Sequence, residues 1–244
     1  RSLLMWTLRP ARPLLTRAER RRPGSAGCAA RAGAPAAVRP DARGSGQRAA
    51  ARIGCETMSD AANPIEAFVQ SLLARIDDDT RNRIDATAQR RSVDAMGAPL
   101  GIEDELRLLL AAKYLAAADG LSGAEVDGLR ALMERLDLPA VAQQHVLEFD
   151  VSAVRPEHVG ELVPSRTRPA LYVLSNVAVL AALDGLSDVE AARARQVGAH
   201  LGVSPPLVDV VLAEAVLTAD ALQRGDEATL RSLRPLQRAI FRLL

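Results

Sequence analysis

Cysteine is missing from most of this chain. Both cysteines of the 244 residues, Cys28 and Cys55, lie before Met58. Residues 58–244 therefore contain no disulfide, no cysteine-ligated zinc and no thiol nucleophile. Aromatic residues are also few, at 2% of the chain. A core in this segment must be built from Leu, Val and Ala, which suits close helix–helix packing.

Long apolar runs are missing too. The longest, residues 171–183, is interrupted by Ser175 and Asn176 and is shorter than the roughly 20 residues that span a bilayer. This run is typical of a buried core helix. We therefore expect a cytoplasmic protein, either free or at the inner face of the membrane.

The charge is divided unevenly along the chain. Residues 1–57 carry twelve Arg and three acidic residues, a net charge of +9. Residues 58–244 carry nineteen basic and twenty-seven acidic residues, a net charge of −8. Because the segment that can fold is acidic, we expect no nucleic-acid partner. An acidic surface suits cations or a basic protein partner.

Residues 1–57 are rich in Arg, Ala, Gly and Pro, and three interpretations of them stay open. The chain begins with Arg1, and Met58 followed by Ser-Asp-Ala-Ala resembles a natural start, which favours an upstream segment read from a misassigned start. The Arg-rich residues 1–22 also fit a mitochondrial transit peptide. A disordered arm is the third interpretation.

Apolar residues recur at helical spacing along residues 58–244, which predicts an all-α fold. Asn63 and Pro64 are typical of a helix start. We divide this segment into N-terminal helices and a linker (58–100), a duplicated helical domain (101–222) and a C-terminal basic amphipathic helix (223–244).

The string Asp-Gly-Leu-Ser-x-x-Glu occurs twice, at residues 119–125 and 184–190. Each copy follows an Ala- and Leu-rich helix. Each precedes a second helix, which ends in Leu-Asp-Leu (136–138) or Leu-Gly-Val (201–203). Identities at five of seven positions with matching flanks indicate an internal repeat of two αα-hairpins.

Most of this string has a structural explanation. Its glycine can end a helix in the left-handed conformation. Its serine and glutamate have the spacing of a capping box, and each cap is worth about 1 kcal/mol. These residues are Gly120, Ser122 and Glu125 in the first copy and Gly185, Ser187 and Glu190 in the second. Asp119 and Asp184 are not explained, because an acid at the C-terminal end of a helix faces the negative end of the dipole.

With their flanks, the two strings resemble the TerB-like family, named for tellurite-resistance proteins. The resemblance covers about residues 100–222. It implies a compact bundle of about seven helices with pseudo-two-fold halves, an acidic surface and divalent-metal association. It also implies a stress-response or membrane-associated role without enzymatic activity. The chain departs from the family pattern at Leu183, where Ala is usual, and at Asp137, where Gly is usual.

Carried onto this chain, the resemblance points to four metal ligands: Asp119, Glu125, Asp184 and Glu190. Hard cations such as Ca²⁺ or Mg²⁺ favour carboxylate oxygens, and two related halves could supply four. The string is not an EF-hand loop, because only one acid precedes the glycine. In the alternative interpretation the glutamates are helix caps and the aspartates are solvated charges.

The C-terminal residues form a second candidate site. Four arginines recur at steps of three and four, on one face of a predicted helix: Arg231, Arg234, Arg238 and Arg242. The expected apolar contacts are Leu230, Leu233, Ile240, Phe241 and Leu244. Such a helix can lie on an anionic membrane or an acidic partner, or can be the last helix of the domain with a solvated basic face. We expect Pro235 to kink or split it.

We therefore expect a non-enzymatic interaction or regulatory module with a protein partner, responsive to a divalent cation. One alternative is a peripheral membrane adaptor acting through the C-terminal helix. Another is an enzyme that uses a carboxylate pair for acid–base chemistry. No catalytic residues stand out: His145, His158 and His200 lack His-x-x-x-His spacing, and no Gly-Lys-Ser/Thr phosphate loop occurs.

Overall fold

The computed structural model describes residues 62–244, and the interpretations of residues 1–57 lie outside them. No strand occurs within the described residues, so the prediction of an all-α fold is confirmed. The helices in this range are α1 (Pro64–Leu73), α2 (Asp78–Met96), α3 (Ile102–Ala116), α4 (Gly123–Arg135), α5 (Ala140–Glu148), α6 (Pro156–Gly160), α7 (Arg168–Ala181), α8 (Asp188–His200), α9 (Pro205–Arg224) and α10 (Glu227–Ile240).

The helix starts follow local capping chemistry. At the start of α1, Asn63 Oδ1 accepts a hydrogen bond from the N–H of Ile65 at 3.1 Å, and Pro64 occupies the first helical turn. Asn63 also donates through Nδ2 to the carbonyl of His158, which ties the start of α1 to α6. One side chain thus caps a helix and joins two distant segments.

Two helices lie at the centre of the bundle, as their apolar composition predicts. Every residue of α7 from Ala170 onward is buried, and α3 is buried from Leu108 to its end. α3 packs along α7, and α7 packs on α9. α4 also contacts α7, and α8 also contacts α3. Each hairpin therefore places its second helix against the first helix of the other.

Two charged residues join neighbouring elements to α3. Arg107 binds Glu66 of α1 through two hydrogen bonds, Nε to Oε2 at 2.7 Å and Nη2 to Oε1 at 2.9 Å. Lys113, 4% exposed, donates to three carbonyl groups at the end of α5. A cation is favourable there, because the carbonyls at a helix C-terminus have no partner within the helix.

One glycine allows the two hairpins to approach closely. A Cβ on Gly128 of α4 would lie 2.3 Å from Leu183 Cδ1 and 2.8 Å from Leu180 Cδ1. Such distances are far below van der Waals contact. By contrast, a Cβ on Gly123, at the start of the same helix, would meet nothing within 4 Å.

Three features differ from the expectations. The part of the chain described here contains ten α-helices rather than about seven, because α1, α2 and α10 lie outside the repeated segment and α6 has only five residues. A short 3₁₀ helix, Ala182–Asp184, follows α7. α10 continues through Pro235 as one helix, so the proline does not split it.

Candidate functional site

The two Asp-Gly-Leu-Ser-x-x-Glu turns have nearly the same local geometry. In the first, the N–H of Ser122 donates to Glu125 Oε2 at 2.7 Å, and the N–H of Glu125 donates to Ser122 Oγ at 3.2 Å. In the second, the corresponding distances between Ser187 and Glu190 are 2.8 and 3.3 Å. Both predicted capping boxes are therefore present.

The glycines and aspartates of the two turns are also alike. Gly120 and Gly185 have φ of +103° and +102°, a region that favours glycine. Asp119 and Asp184 are both exposed. Each turn thus holds a buried glutamate and an exposed aspartate before its glycine, and the second turn has a further exposed acid, Asp188.

The buried carboxyl groups of the two turns meet. Glu125 and Glu190 are each 1% exposed, and their side chains approach one another across the two hairpins. The Oε1 atom of each is buried and has no hydrogen-bond partner among residues 62–244. Two negative charges in such a buried pair would repel strongly, which favours a form in which the pair keeps one proton.

Burial is the largest cause that raises the pKa of both glutamates, and it raises the pKa of Glu125 to about 8. The hydrogen bonds from the serine in each turn oppose this shift. The charge of Asp184 further raises the pKa of Glu125, and the charge of Asp119 further raises the pKa of Glu190. Each aspartate thus acts on the glutamate of the other turn.

The structure therefore brings together the four carboxylates chosen from sequence, as a buried pair with an exposed acid on each side. No group of three or more His, Cys, Asp or Glu side chains in residues 62–244 is arranged to hold a metal ion. The four-carboxylate metal site stays a prediction, whereas the two helix caps of the alternative interpretation are present.

The second candidate site lies on α10. Arg231, Arg238 and Arg242 are exposed and Arg234 is half-buried. Ile240 and Phe241, two of the expected apolar contacts, are buried, at 3% and 2% exposure. They are buried because α10 packs on α9, with the ring of Phe241 lying 6.2 Å from that of Tyr172.

Sequence reasoning missed a buried ionisable cluster between α2, α3, α4 and α7. Glu105 is 3% exposed, and Tyr172 Oη donates to its Oε1 at 3.5 Å. Arg91, Asn176 and apolar side chains line the small cavity beside them. Burial raises the pKa of Glu105 and lowers that of Arg135 to about 10. Glu105 shares a helical face with Leu108, Leu109 and Ala112, and this spacing was the available signal.

A second buried acid was missed on α9. Glu214, 3% exposed, accepts hydrogen bonds from Thr218 Oγ1 at 2.7 Å and Ser175 Oγ at 3.4 Å. Burial raises the pKa of Glu214, and the hydrogen bonds from Thr218 and Ser175 oppose that shift. The bond from Ser175 joins α9 to α7.

No helix in the described range is both long and apolar enough to cross a bilayer. Comparison with protein-family models, with curated proteins and with solved structures gave no match for this chain.

Proposed function

We propose that this chain is a non-enzymatic interaction or regulatory module of TerB-like type, and that the paired turns are its cation-responsive element. The observation that carries the proposal is the contact between the carboxyl groups of Glu125 and Glu190, each flanked by the aspartate of the other turn. The sequence resemblance and this reciprocal arrangement support the same four residues as cation ligands: Asp119, Glu125, Asp184 and Glu190.

The chemistry of the pair explains how a cation would act there. A buried carboxyl pair keeps a proton because two negative charges in contact repel strongly. A divalent cation offsets the same repulsion, and carboxylate oxygens are ligands that Ca²⁺ and Mg²⁺ favour. Cation binding would therefore release the shared proton. Asp119 and Asp184 are exposed, so their side chains can turn toward an incoming cation.

A cation that replaces the proton would change the surface that a partner meets. Each turn leads into a helix, α4 or α8, that packs against the other hairpin. A change in the repulsion between Glu125 and Glu190 would therefore act on the spacing of α4 and α8. The net charge of −8 over residues 58–244 suits a basic protein partner.

Calorimetric titration of the full chain with Ca²⁺, Mg²⁺, Mn²⁺ and Zn²⁺ tests the cation part. Titrations in two buffers of different ionisation enthalpy count the protons released. We expect binding with proton release below about pH 8, where the pair still holds its proton. The Asp119→Asn/Asp184→Asn variant should bind more weakly.

Glu125→Gln should remove the proton release, because the amide has no proton to lose in this range. The matched control is Glu134→Gln, an exposed position on the same helix. Absence of heat for all four cations, or heat unchanged in the aspartate variant, would remove the cation part of the proposal.

A further inference from the structure

The outward side of α10 differs from the side that folds against the protein. Ile240 and Phe241 are buried against the core, so they hold the helix in place. Leu236 and Leu243 are 43% and 65% exposed. Leu236 lies on α10, and Leu243 lies three residues beyond its last residue, Ile240. Leu244, at the chain end, is also exposed.

The four arginines of residues 228–244 form no ion pair with any residue in the range 62–244. Other surface arginines do, as shown by Arg130 with Asp127 and Arg224 with Asp220. Glu227, one helical turn before Arg231, is the only acid of α10. Residues 228–244 contain no acid at all. The charge of this helix is therefore available to a partner.

This charge is opposite to that of the rest of the segment. Residues 228–244 carry four Arg, a net charge of +4, whereas residues 58–227 carry fifteen basic and twenty-seven acidic residues, a net charge of −12. An anionic surface attracts residues 228–244 and repels residues 58–227. Within residues 58–244, α10 and the residues after it are therefore the part that an anionic surface attracts.

We propose that the outer face of α10 and of the residues that follow it, defined by Arg231, Arg238, Arg242, Leu236 and Leu243, binds the surface of an anionic lipid bilayer. Arg231 and Arg238 lie on α10 and Arg242 in the turn after it, with exposed Pro235 and Ala239 on the helix between them. A bilayer offers anionic headgroups at any position along this face and apolar chains beneath them. A protein partner would need carboxylates at matching positions and a pocket for each leucine.

Co-sedimentation of the full chain with phospholipid vesicles tests this face. The vesicles contain phosphatidylcholine alone or an equal mixture with phosphatidylserine. Binding to the mixed vesicles should weaken about a hundredfold in Arg231→Gln/Arg238→Gln/Arg242→Gln, because each arginine near an anionic membrane contributes roughly a factor of five. The twelve arginines of residues 1–57 are present in every variant, so only the difference reports on α10.

The matched control removes the same charge elsewhere: Arg83→Gln/Arg155→Gln/Arg168→Gln. These three arginines are exposed and form no ion pair with another described residue. The control should bind nearly as well as the unaltered chain. An equal loss in both triple variants would overturn the proposal. So would binding to soluble polyglutamate with none to the mixed vesicles, which would identify an acidic protein as the partner.

A fluorescent reporter locates the contact. In a chain with Trp6→Phe, we expect Leu243→Trp to show blue-shifted emission and quenching by brominated lipid on mixed vesicles. Val141→Trp, at a valine of α5 that is 71% exposed, serves as the control and should show neither. No change for Leu243→Trp, or the same change for both, would contradict the assignment to α10.

Discussion

Replacing Glu125 by Gln tests the shared proton directly. The Gln side chain keeps the shape of the glutamate. Its oxygen can accept the hydrogen bond from the N–H of Ser122, and its amide can donate to Glu190. The variant therefore resembles the pair with a proton held on residue 125, which the amide cannot lose, while Glu190 can still ionise. We expect Glu125→Gln to fold and to lose most of the pH dependence that the pair contributes.

The sign and size of that dependence follow from the raised pKa. A carboxyl whose pKa is raised on folding contributes stability that is complete below its unfolded pKa and is lost as pH rises through its folded pKa. For Glu125 this window runs from 4.5 to about 8. At 1.36 kcal/mol per pKa unit, the loss across the window is at most about 5 kcal/mol.

Urea unfolding at about pH 5 and about pH 8 measures this difference. Between the two pH values, the free energy of unfolding should fall further for the unaltered chain than for Glu125→Gln. The difference should be at most about 5 kcal/mol. The buried acids Glu105 and Glu214 also have raised pKa values, but they contribute to both chains and cancel. An equal loss of stability in the variant and the unaltered chain would refute the shared proton.

Three further changes have expected outcomes in unfolding experiments. Gly128→Ala should destabilise the fold by about 1–3 kcal/mol through overpacking, whereas Gly123→Ala should cost nothing or stabilise slightly. Arg107→Gln should cost about 1–3 kcal/mol, since its two hydrogen bonds join α1 to α3, while Arg130→Gln, at an exposed pair, should change stability by less than about 1 kcal/mol. Lys113→Met should cost about 2–4 kcal/mol, because three carbonyls at the end of α5 lose their donor. Equal effects for either matched pair, or a neutral Lys113→Met, would contradict these contacts.

Features that depend on a few neighbouring residues were predictable from sequence. The cap at Asn63 and the Ser-to-Glu capping boxes follow from side chains that reach backbone groups two or three residues away. The linker before α3 also follows from local chemistry, since Gly97 ends α2 with a φ of +79°. The five-residue helix α6 was missed because so short a segment shows less than two turns of periodicity.

The burial of the charged groups could not be predicted in this way. Glu105 and Glu214 occupy helices whose sequence gives them an apolar neighbourhood, but Tyr172 and Ser175, which donate hydrogen bonds to them, lie on α7. Likewise, the sequence left open whether the apolar side of the C-terminal helix meets a partner or the core of the protein, and Ile240 and Phe241 are buried because they pack against α9 and Tyr172. Amphipathicity predicts that a helix has an apolar side but not which surface covers it.

The sequence by itself determined that the chain is helical, where its two similar turns lie and which residues cap them, because caps and turns depend on contacts within about four residues. Only the tertiary structure decided that Glu125 and Glu190 meet and that the apolar side of α10 faces the core. Those contacts join residues far apart in the chain, so they depend on how α3 and α7 pack and on how much water that packing removes from each carboxyl group.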